Sequence, residues 1–244
     1  MKKKLNYIAL IAVVLLNNEY VIPSNSYVPK IGQLIDSFVT LIKDYDLTFG
    51  FLYTLSTFYL SLALFFLFSL LILPIGKSWM FLSGLQQGIK INKWFLSLFA
   101  GLFFLIWFPN SQITGIVFLF LVYIADLTNS LSAAYPVFFR NKIQPALSLG
   151  LPESKTITRF TRELIKVNGL RVLRDNHSRY WTIILLFEFF NPESISIGNF
   201  LRISFEYWNV PFLTVVVLLT ILIIGVMEGF LKLLVNKTGI RYEN

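Results

Sequence analysis

The amino-acid sequence predicts an all-α integral membrane protein with about six transmembrane helices. Its 244 residues are 56% hydrophobic, 17% aromatic and only 14% charged, whereas soluble domains carry roughly a quarter charged residues. Phenylalanine-rich runs leave no face of a helix polar, which is typical of helices surrounded by lipid or by a deep core. The basic residues fall almost entirely on one side of the predicted membrane. We therefore expect residues 1–244 to form a single transmembrane domain in a lipid bilayer.

Six segments approach the about 20 residues that a helix needs to cross a hydrocarbon core of roughly 30 Å. They are Leu5–Ile22, Phe51–Leu73, Trp94–Phe108, Ile113–Tyr135, a mixed segment ending in Tyr180–Phe190, and Pro211–Val235. The first follows three lysines, as in a signal peptide. Polar residues 17–19 stand where a cleavage site needs small ones, so we predict an uncleaved first helix.

The connections between these segments differ in character. Residues 109–112 form a short uncharged turn, which makes the third and fourth segments a hairpin. Residues 23–46 are predicted to be an external interfacial segment, because apolar residues recur there at intervals of three and four. Those residues are Ile31, Leu34, Ile35, Phe38, Leu41 and Ile42.

The charge distribution predicts the orientation of the chain. With the N-terminus inside, 18 of the 21 Lys and Arg residues fall on cytoplasmic segments, and the three others are Lys30, Lys43 and Arg202. This asymmetry predicts that both termini are cytoplasmic, and it explains the net charge of +8 without a nucleic-acid partner. Nine of the 18 lie between Pro136 and Arg179. This stretch is either a docking site for a cytoplasmic partner or an ordinary solvated loop held inside by its charge.

Several chemical sites are excluded by composition. The chain has no cysteine and a single histidine, His177, so we predict neither a metal site nor a catalytic triad. We expect His177 to be an interfacial ring near a helix end. The segment Gly76-Lys77-Ser78 resembles the end of a phosphate-binding loop, but Leu71 occupies the position of the required glycine. No catalytic residue, nucleotide site or cofactor is expected.

Ionisable residues within apolar helices are the first candidates for a transport pathway, because they face a bundle interior or water. Glu188 is the stronger candidate and Asp126 follows it. Glu228 also falls in an apolar helix, but Lys232 lies four residues further and the two can form an interfacial pair. Arg171, Asp175 and Arg179 are spaced by four in turn.

That spacing has two interpretations. The three charges can neutralise one another along a helix, in a cytoplasmic extension of the fifth segment. Alternatively, their arginines form a basic mouth for anions, because the guanidinium group binds oxyanions with a planar fork of donors.

A resemblance to a known family rests first on the cytoplasmic stretch Gln144-Pro145-Ala146-Leu147-Ser148-Leu149-Gly150. It resembles the EAA loop of permease subunits in binding-protein-dependent ABC importers, in the group of nitrate, sulfonate, taurine and bicarbonate systems. That loop reads Glu-Ala-Ala, three residues, then Gly. Ala146 and Gly150 match, while Gln144 and Pro145 replace the family's Glu and first Ala. The family's later Ile-x-Leu-Pro is lost, since its positions hold Phe160, Arg162 and Glu163.

Weaker similarities extend the resemblance over nearly the whole chain. Gly169-Leu170-Arg171 is similar to the family's Gly-Leu-Arg at the start of the fifth helix. Trp181 and Glu188 keep its Trp-to-Glu spacing, and residues 197–201 resemble its glycine-rich extracellular segment.

The resemblance implies a type I ABC importer permease-like bundle in a bacterial cytoplasmic (inner) membrane. Residues 137–166 would be the cytoplasmic coupling loop, and Arg171 and Trp181 would join Glu188 and Asp126 near the pathway. The coupling contacts would be Gln144, Pro145, Ala146, Leu147, Leu149, Gly150 and Leu151. Implied partners are nucleotide-binding ATPase subunits, a second permease subunit, identical or paralogous, and an extracytoplasmic substrate-binding protein.

Function follows from this resemblance as an expectation. The chain would form the pathway for a small anionic or organic solute, and ATP hydrolysis would occur on a separate subunit. The alternative is a non-transporting membrane scaffold or assembly subunit that docks a cytoplasmic partner. A membrane enzyme is disfavoured, because no catalytic arrangement of His, Cys or paired carboxylates is visible in the sequence.

Overall fold

The structure is a computed structural model that describes residues 29–71, 101–108, 112–192 and 194–237, and these residues contain helices and no strands. The elements are α1 (Ile31–Asp44), α2 (Leu47–Leu71), α3 (Gln112–Phe138), a π-helical turn (Phe139–Ile143), α4 (Gln144–Ser148), α5 (Glu153–Phe189), α6 (Ile197–Glu206) and α7 (Val210–Lys237). Residues 101–107 form a short helical segment before α3. The predicted first segment, Leu5–Ile22, lies outside the described residues.

Three helices are long and apolar enough to cross a membrane. They are Leu47–Ser69 within α2, Gln112–Ser148 from α3 through α4, and Val210–Leu233 within α7. They correspond to the second, fourth and sixth predicted segments and confirm the prediction of an all-α membrane protein. Of the third segment, the structure describes residues 101–108, and the fifth is the C-terminal part of α5.

The long helices share one end of the bundle, which we call the α6 end. α2, α3 and α7 begin there and α5 finishes there. Near the start of α2, a β-carbon built at Gly50 would lie 2.3 Å from the ring of Phe200 in α6. At the start of α3, Gln112 Nε2 donates to Ser56 Oγ at 2.6 Å. The chain therefore enters and leaves this end repeatedly through α1, α6 and the adjoining turns.

Aromatic side chains fill the main core, between α2, α3 and α5. Phe58 stacks on Trp181 with ring centroids 4.6 Å apart, and Tyr123 meets Tyr180 edge to face at 4.4 Å. Such contacts add to the free energy gained from burying the rings. A second, smaller core at the α6 end joins α1, α6 and α7 through buried apolar residues, including Phe200. The two cores make α2 and α5 the centre of the bundle.

The predicted amphipathic helix before the second segment is confirmed as α1. The backbone N–H of Lys30 donates to Gln33 Oε1 at 3.0 Å and so fixes the first turn. Leu41 is fully buried, while Ile35 and Phe38 remain exposed. An amphipathic helix with exposed apolar side chains at the end of a helical bundle is suited to lie in a membrane interface.

The position of α5 against α2 corrects one expectation. Thr54 Oγ1 lies 2.8 Å from Glu188, and a β-carbon at Gly169 would lie 3.8 Å from Phe66, three residues before the apolar span of α2 ends. The part of α5 from Gly169 to Glu188 thus lies beside that apolar span. Arg171 to Arg179 are therefore within its depth and not in an extension beyond it. Hydropathy missed this because α5 itself is not predominantly apolar.

Candidate functional site

The hairpin between α3 and α5 ends in a sharp turn at residues 149–152, which we call the tip. Gly150 has φ +80, a left-handed conformation that residues with a β-carbon rarely adopt. Its N–H donates to the carbonyl of Leu147 at 2.9 Å, and the N–H of Leu151 donates to that of Ala146 at 3.4 Å. This pair of bonds is the Schellman motif, which ends a helix and reverses the chain. Pro152 then precedes the first turn of α5.

The predicted coupling residues fall on two sides of this turn. Gln144, Pro145 and Gly150 are exposed, and Leu147 is half-buried. Leu149 and Leu151 expose 83% and 50% of their surface, so the tip presents two leucines that the described part of the chain leaves uncovered. Ala146 is buried instead. Its burial helps to hold the shape of the tip, and its side chain does not offer a contact surface.

A π-helical turn lies between α3 and the tip. Residues Phe139–Ile143 are π-helical, and Pro145 follows two residues later. Proline has no N–H for the carbonyl four residues before it, and its ring clashes with that carbonyl in a regular helix. A π-helical turn is one of the ways in which a helix accommodates such an interruption. The helical chain consequently continues from Gln112 to Ser148 without breaking.

Asp126 joins α3 to α5. Arg179 Nη1 donates to its two carboxylate oxygens at 3.3 and 3.0 Å, and the hydroxyl of Tyr180 donates to Oδ2 at 3.0 Å. The Asp126 side chain is 8% exposed. A buried carboxylate is costly unless it is paired and hydrogen-bonded, and these two neighbours meet both needs. The interaction fixes the two arms of the hairpin against each other beside the apolar span of α2.

The predicted ladder of alternating charge is only partly formed. Asp175 accepts from Arg174 at 2.8 Å and lies 3.6 Å from Arg171, which is 59% exposed. Arg179 pairs with Asp126 on α3 and not with Asp175 among the described ion pairs. The helical spacing therefore predicted the contact between Arg171 and Asp175 correctly. The described ion pair of Arg179 is instead a tertiary contact with Asp126.

A cavity of about 450 Å³ lies between residues 101–105 and the C-terminal half of α5. Asp175, Ser178 and Arg179 line its polar end, and Phe118 and Phe187 line its apolar part. Of the predicted pathway residues, none is in this lining. The cavity borders the Asp126–Arg179 pair through Arg179 only.

Glu188 is 2% exposed and ties α5 to the α6 end. Its Oε2 accepts from Thr54 Oγ1 of α2 at 2.8 Å and from the N–H of Gly198 at 3.3 Å. Thr54 Oγ1 in turn accepts from the N–H of Ile197 at 3.1 Å. Backbone N–H groups at a helix N-terminus lack partners within the helix, and Glu188 Oε2 provides an acceptor for one of them at the start of α6. We call Glu188, Thr54 and Gly198 the α6 clasp.

The clasp depends on a very close approach of two backbones. A β-carbon on Gly198 would lie 2.4 Å from Glu188 Cβ, 2.5 Å from the carbonyl oxygen of Leu185 and 2.7 Å from Phe189 N. Only glycine fits there, since two of these atoms belong to the backbone of α5. Ser196 completes the start of α6, because its hydroxyl accepts from the N–H of Asn199 at 3.3 Å.

Trp181 and His177 form one buried unit in the main core. The indole N–H of Trp181 donates to His177 Nε2 at 3.2 Å, and both side chains pack against Phe58. His177 is 1% exposed, so the expectation of an interfacial ring is wrong. The ring is far from either end of α5, because His177 lies 24 residues after Glu153 and 12 residues before Phe189. Trp181 is fully buried and packs in the core.

The predicted pathway residues thus do not converge on one site. Asp126 lies in the hairpin pair, Glu188 in the α6 clasp, Trp181 in the core and Arg171 on the surface. Of their partners, Arg179 was predicted only as part of the alternative basic mouth for anions, and Tyr180 and Thr54 were not predicted as site residues. A signal for the contact between Asp126 and Arg179 was present, because ionisable side chains in apolar surroundings pair with one another.

Helix lengths, composition and packing define the chain as an α-helical membrane protein. Comparison with known protein families, with curated proteins and with solved structures gives no match to this chain.

Proposed function

We propose that the chain is the transmembrane subunit of an ABC importer, with six spans in a type I arrangement. It would contribute to the pathway for a small anionic or organic solute and couple that pathway to cytoplasmic ATPase subunits. The supporting observation is the hairpin of α3, α4 and α5, whose two arms are longer than a hydrocarbon core requires and which ends in exposed leucines. The resemblance of residues 144–150 to the EAA loop points to the same use of this turn.

The lengths of the helices support a projecting hairpin. The helical stretch Gln112–Ser148 and helix α5 each have 37 residues, or about 55 Å of helix, against a hydrocarbon core of roughly 30 Å. Each arm of the hairpin therefore has about 25 Å of helix beyond the core. An ordinary loop between two spanning helices has no need of such a rigid extension.

The exposed tip is suited to enter a groove of a partner. Leu149 and Leu151 flank Gly150, whose left-handed backbone holds both side chains on a tight turn. Burying two leucines in a partner would contribute about 1.5–3 kcal/mol each, before the entropy lost on binding. ATP-driven closure of two ATPases would displace the tips of two such subunits. The free energy for this movement would come from nucleotide binding at the partner.

The interior contacts are arranged to transmit such a movement. The Asp126–Arg179 pair fixes α5 to α3, so a displaced tip would move both arms together. The α6 clasp connects the opposite end of α5 to α6 and α2. Under this proposal both termini are cytoplasmic, the α6 end faces an extracytoplasmic binding protein, and a second permease subunit completes the pathway in a bacterial inner membrane.

One observation favours the alternative of a non-transporting scaffold. Gln144 and Pro145 replace the acidic residue and the alanine of the family's loop, and Ala146 is buried and unavailable for contact. A tip of this kind could hold a cytoplasmic partner without transmitting force. The two functions differ in whether binding of the partner depends on nucleotide and changes its hydrolysis rate.

The test is purification of the chain from its native membrane, followed by identification of a co-purifying subunit that binds and hydrolyses ATP. We expect Leu149→Asp to remove that subunit, since an acidic group cannot enter an apolar groove. Tyr207→Asp is the matched control, because Tyr207 is 77% exposed beyond α6 at the opposite end. Retention of the ATPase by the Leu149 variant, or a partner without ATPase activity, would refute the proposal.

A further inference from the structure

The surface of α5 between the tip and the membrane carries a basic stripe. Its residues are Lys155, Arg159, Arg162 and Lys166, at intervals of four, three and four. These intervals place all four on one side of a helix. All four are exposed, whereas Leu164 and Ile165 on the other side of α5 are buried. The stripe therefore faces away from the hairpin, and together with Glu163 it lines a shallow cleft on the surface.

Among the residues that the structure describes, no ion pair involves this stripe. The ion pairs among the described residues involve Arg171, Arg174, Arg179, Arg202 and Lys232, and none of them includes a member of the stripe. Residues 72–100, which are not described, contain no Asp or Glu at all. They could add only further positive charge. Glu163 is the acidic residue that lines the cleft with them, so four cations along about 16 Å of helix share one neighbouring carboxylate and still repel one another.

The depth of the stripe bears on whether a protein or the lipid surface lies opposite it. Phe66 of α2 lies beside Gly169 of α5, the apolar span of α2 within the described residues reaches Ser69, and the sequence predicts a span as far as Leu73. Arg162 lies seven residues from Gly169 and Lys155 fourteen, which corresponds to about 10 and 21 Å along the helix. Interactions between exposed charges are largely screened beyond about 8 Å at physiological salt. Lys155 and Arg159, on the side of the tip, are consequently the members of the stripe furthest from anionic lipid.

The stripe is continuous with the apolar tip. Lys155 lies four residues beyond Leu151, and Leu149 and Leu151 are both exposed. A phosphate backbone offers no apolar complement to two exposed leucines. A protein groove offers both an apolar floor and charged edges.

From these observations we infer that the basic stripe is a docking surface for an acidic edge of the cytoplasmic protein whose groove receives Leu149 and Leu151. The inference rests on the proposed function in placing this end of the hairpin in the cytoplasm. It adds that the partner groove is rimmed by Asp and Glu side chains along the α5 side. Rim charges of this kind speed association and select the partner more than they add affinity.

The experiment uses a photoreactive benzoylphenylalanine incorporated at Leu149 or at Glu163 in the full chain, with irradiation of intact cells. Glu163 is exposed within the cleft, so its replacement reports on what covers the stripe. We expect the same cytoplasmic protein to be captured from both positions, with the Glu163 adduct mapping to an acidic segment. Reversal of two charges, Arg159→Glu with Arg162→Glu, is expected to lower the Glu163 adduct about tenfold.

The matched control is Arg159→Lys with Arg162→Lys, which keeps the charge and should keep the adduct. Equal amounts of each variant in the membrane exclude a loss of folding. A lipid or nucleic-acid adduct at Glu163, no adduct, or an adduct insensitive to charge reversal would overturn the inference. If the captured protein is acidic at this site but binds no nucleotide, the docking surface stands and the proposed ABC function fails. If an ATPase is captured only from Leu149, the proposed ABC function stands and the inferred docking surface fails.

Discussion

Substitution of Gly198 by alanine is the sharpest test of the close packing at the α6 end. The new β-carbon would lie 2.5 Å from the carbonyl oxygen of Leu185 and 2.7 Å from Phe189 N. These are backbone atoms, so no change of side-chain rotamer relieves the overlap. α6 would have to retreat by about 1 Å to restore ordinary van der Waals distances.

The effect of this displacement of α6 on the free energy of unfolding can be worked out from its contacts. Overpacking in a rigid core costs about 1–3 kcal/mol. Displacement of α6 also weakens the bonds from Gly198 N–H to Glu188 and from Ile197 N–H to Thr54, at about 0.5–1.5 kcal/mol each. We expect a total loss of about 3–5 kcal/mol in the free energy of unfolding. For a chain of this size that corresponds to a melting temperature lower by roughly 10 °C or more.

The measurement is thermal unfolding of the detergent-purified protein, followed as loss of the monodisperse peak in size-exclusion chromatography. Gly169→Ala is the matched control, because its β-carbon would meet Phe66 at an ordinary distance of 3.8 Å. Alanine is favoured over glycine within a helix by about 1 kcal/mol, so this variant should melt at or above the native temperature. If Gly198→Ala melts within about 2 °C of the native protein, the packing of α6 on α5 described above is incorrect.

Three further predictions concern the hairpin and the core. Asp126→Asn is expected to cost about 3 kcal/mol by leaving Arg179 without its counter-charge, and the double variant Asp126→Leu with Arg179→Met should cost less; equal losses in both, measured by the same thermal assay, would contradict a paired charge. Trp181→Ala should lower stability by about 3–5 kcal/mol, against less than about 0.5 for the exposed Trp208→Ala, and similar melting curves for the two would count against the stacked core. Because the chain has no cysteine, Leu149→Cys provides a single label site, which we expect a membrane-impermeant maleimide to reach only after the cells are opened; labelling of sealed cells would reverse the proposed orientation.

The sequence predicted those parts of the fold that depend on one-dimensional patterns. α2, α3 and α7 are continuous apolar runs, and lipid imposes a helix on any such run because every backbone group must be paired internally. α1 follows equally from its apolar spacing. The glycine of the tip was also predicted, and its left-handed φ of +80 gives the physical reason for a glycine at that turn.

The path of α5 could not be predicted in this way. Only residues 180–190 are strongly apolar, so hydropathy alone placed Arg171 to Arg179 outside the membrane. The structure accommodates them beside α2 by pairing Arg179 with Asp126 and by burying His177 against Trp181. These are tertiary contacts, and no local spacing specifies them. A helix with polar residues can lie within a bundle when its partners satisfy those residues.

The sequence pointed to unusual residues such as Glu188, but it did not predict the contacts that these residues make. Glu188 was recognised as unusual because an acid in an apolar helix is costly. Its partner Thr54 lies 134 residues earlier in the chain, and nothing near Glu188 indicates that connection. The turn of the tip was expected from the resemblance of residues 144–150 to a family loop and from Gly150, which permits a sharp turn. Ala146 shows the limit of that approach, because its burial depends on how α4 packs.

The π-helical turn at Phe139–Ile143 has a consequence for how the exposed leucines are aimed. Successive residues of an α-helix are rotated by about 100°, so one residue inserted into a turn changes the direction of everything that follows it by a comparable angle. Insertion or loss of the π-helical turn would rotate Leu149 about the helix axis by about 100° relative to α3, whereas migration of the turn would rotate only the residues that it passes. The extra residue ahead of Pro145 therefore sets the direction in which the two leucines of the tip point.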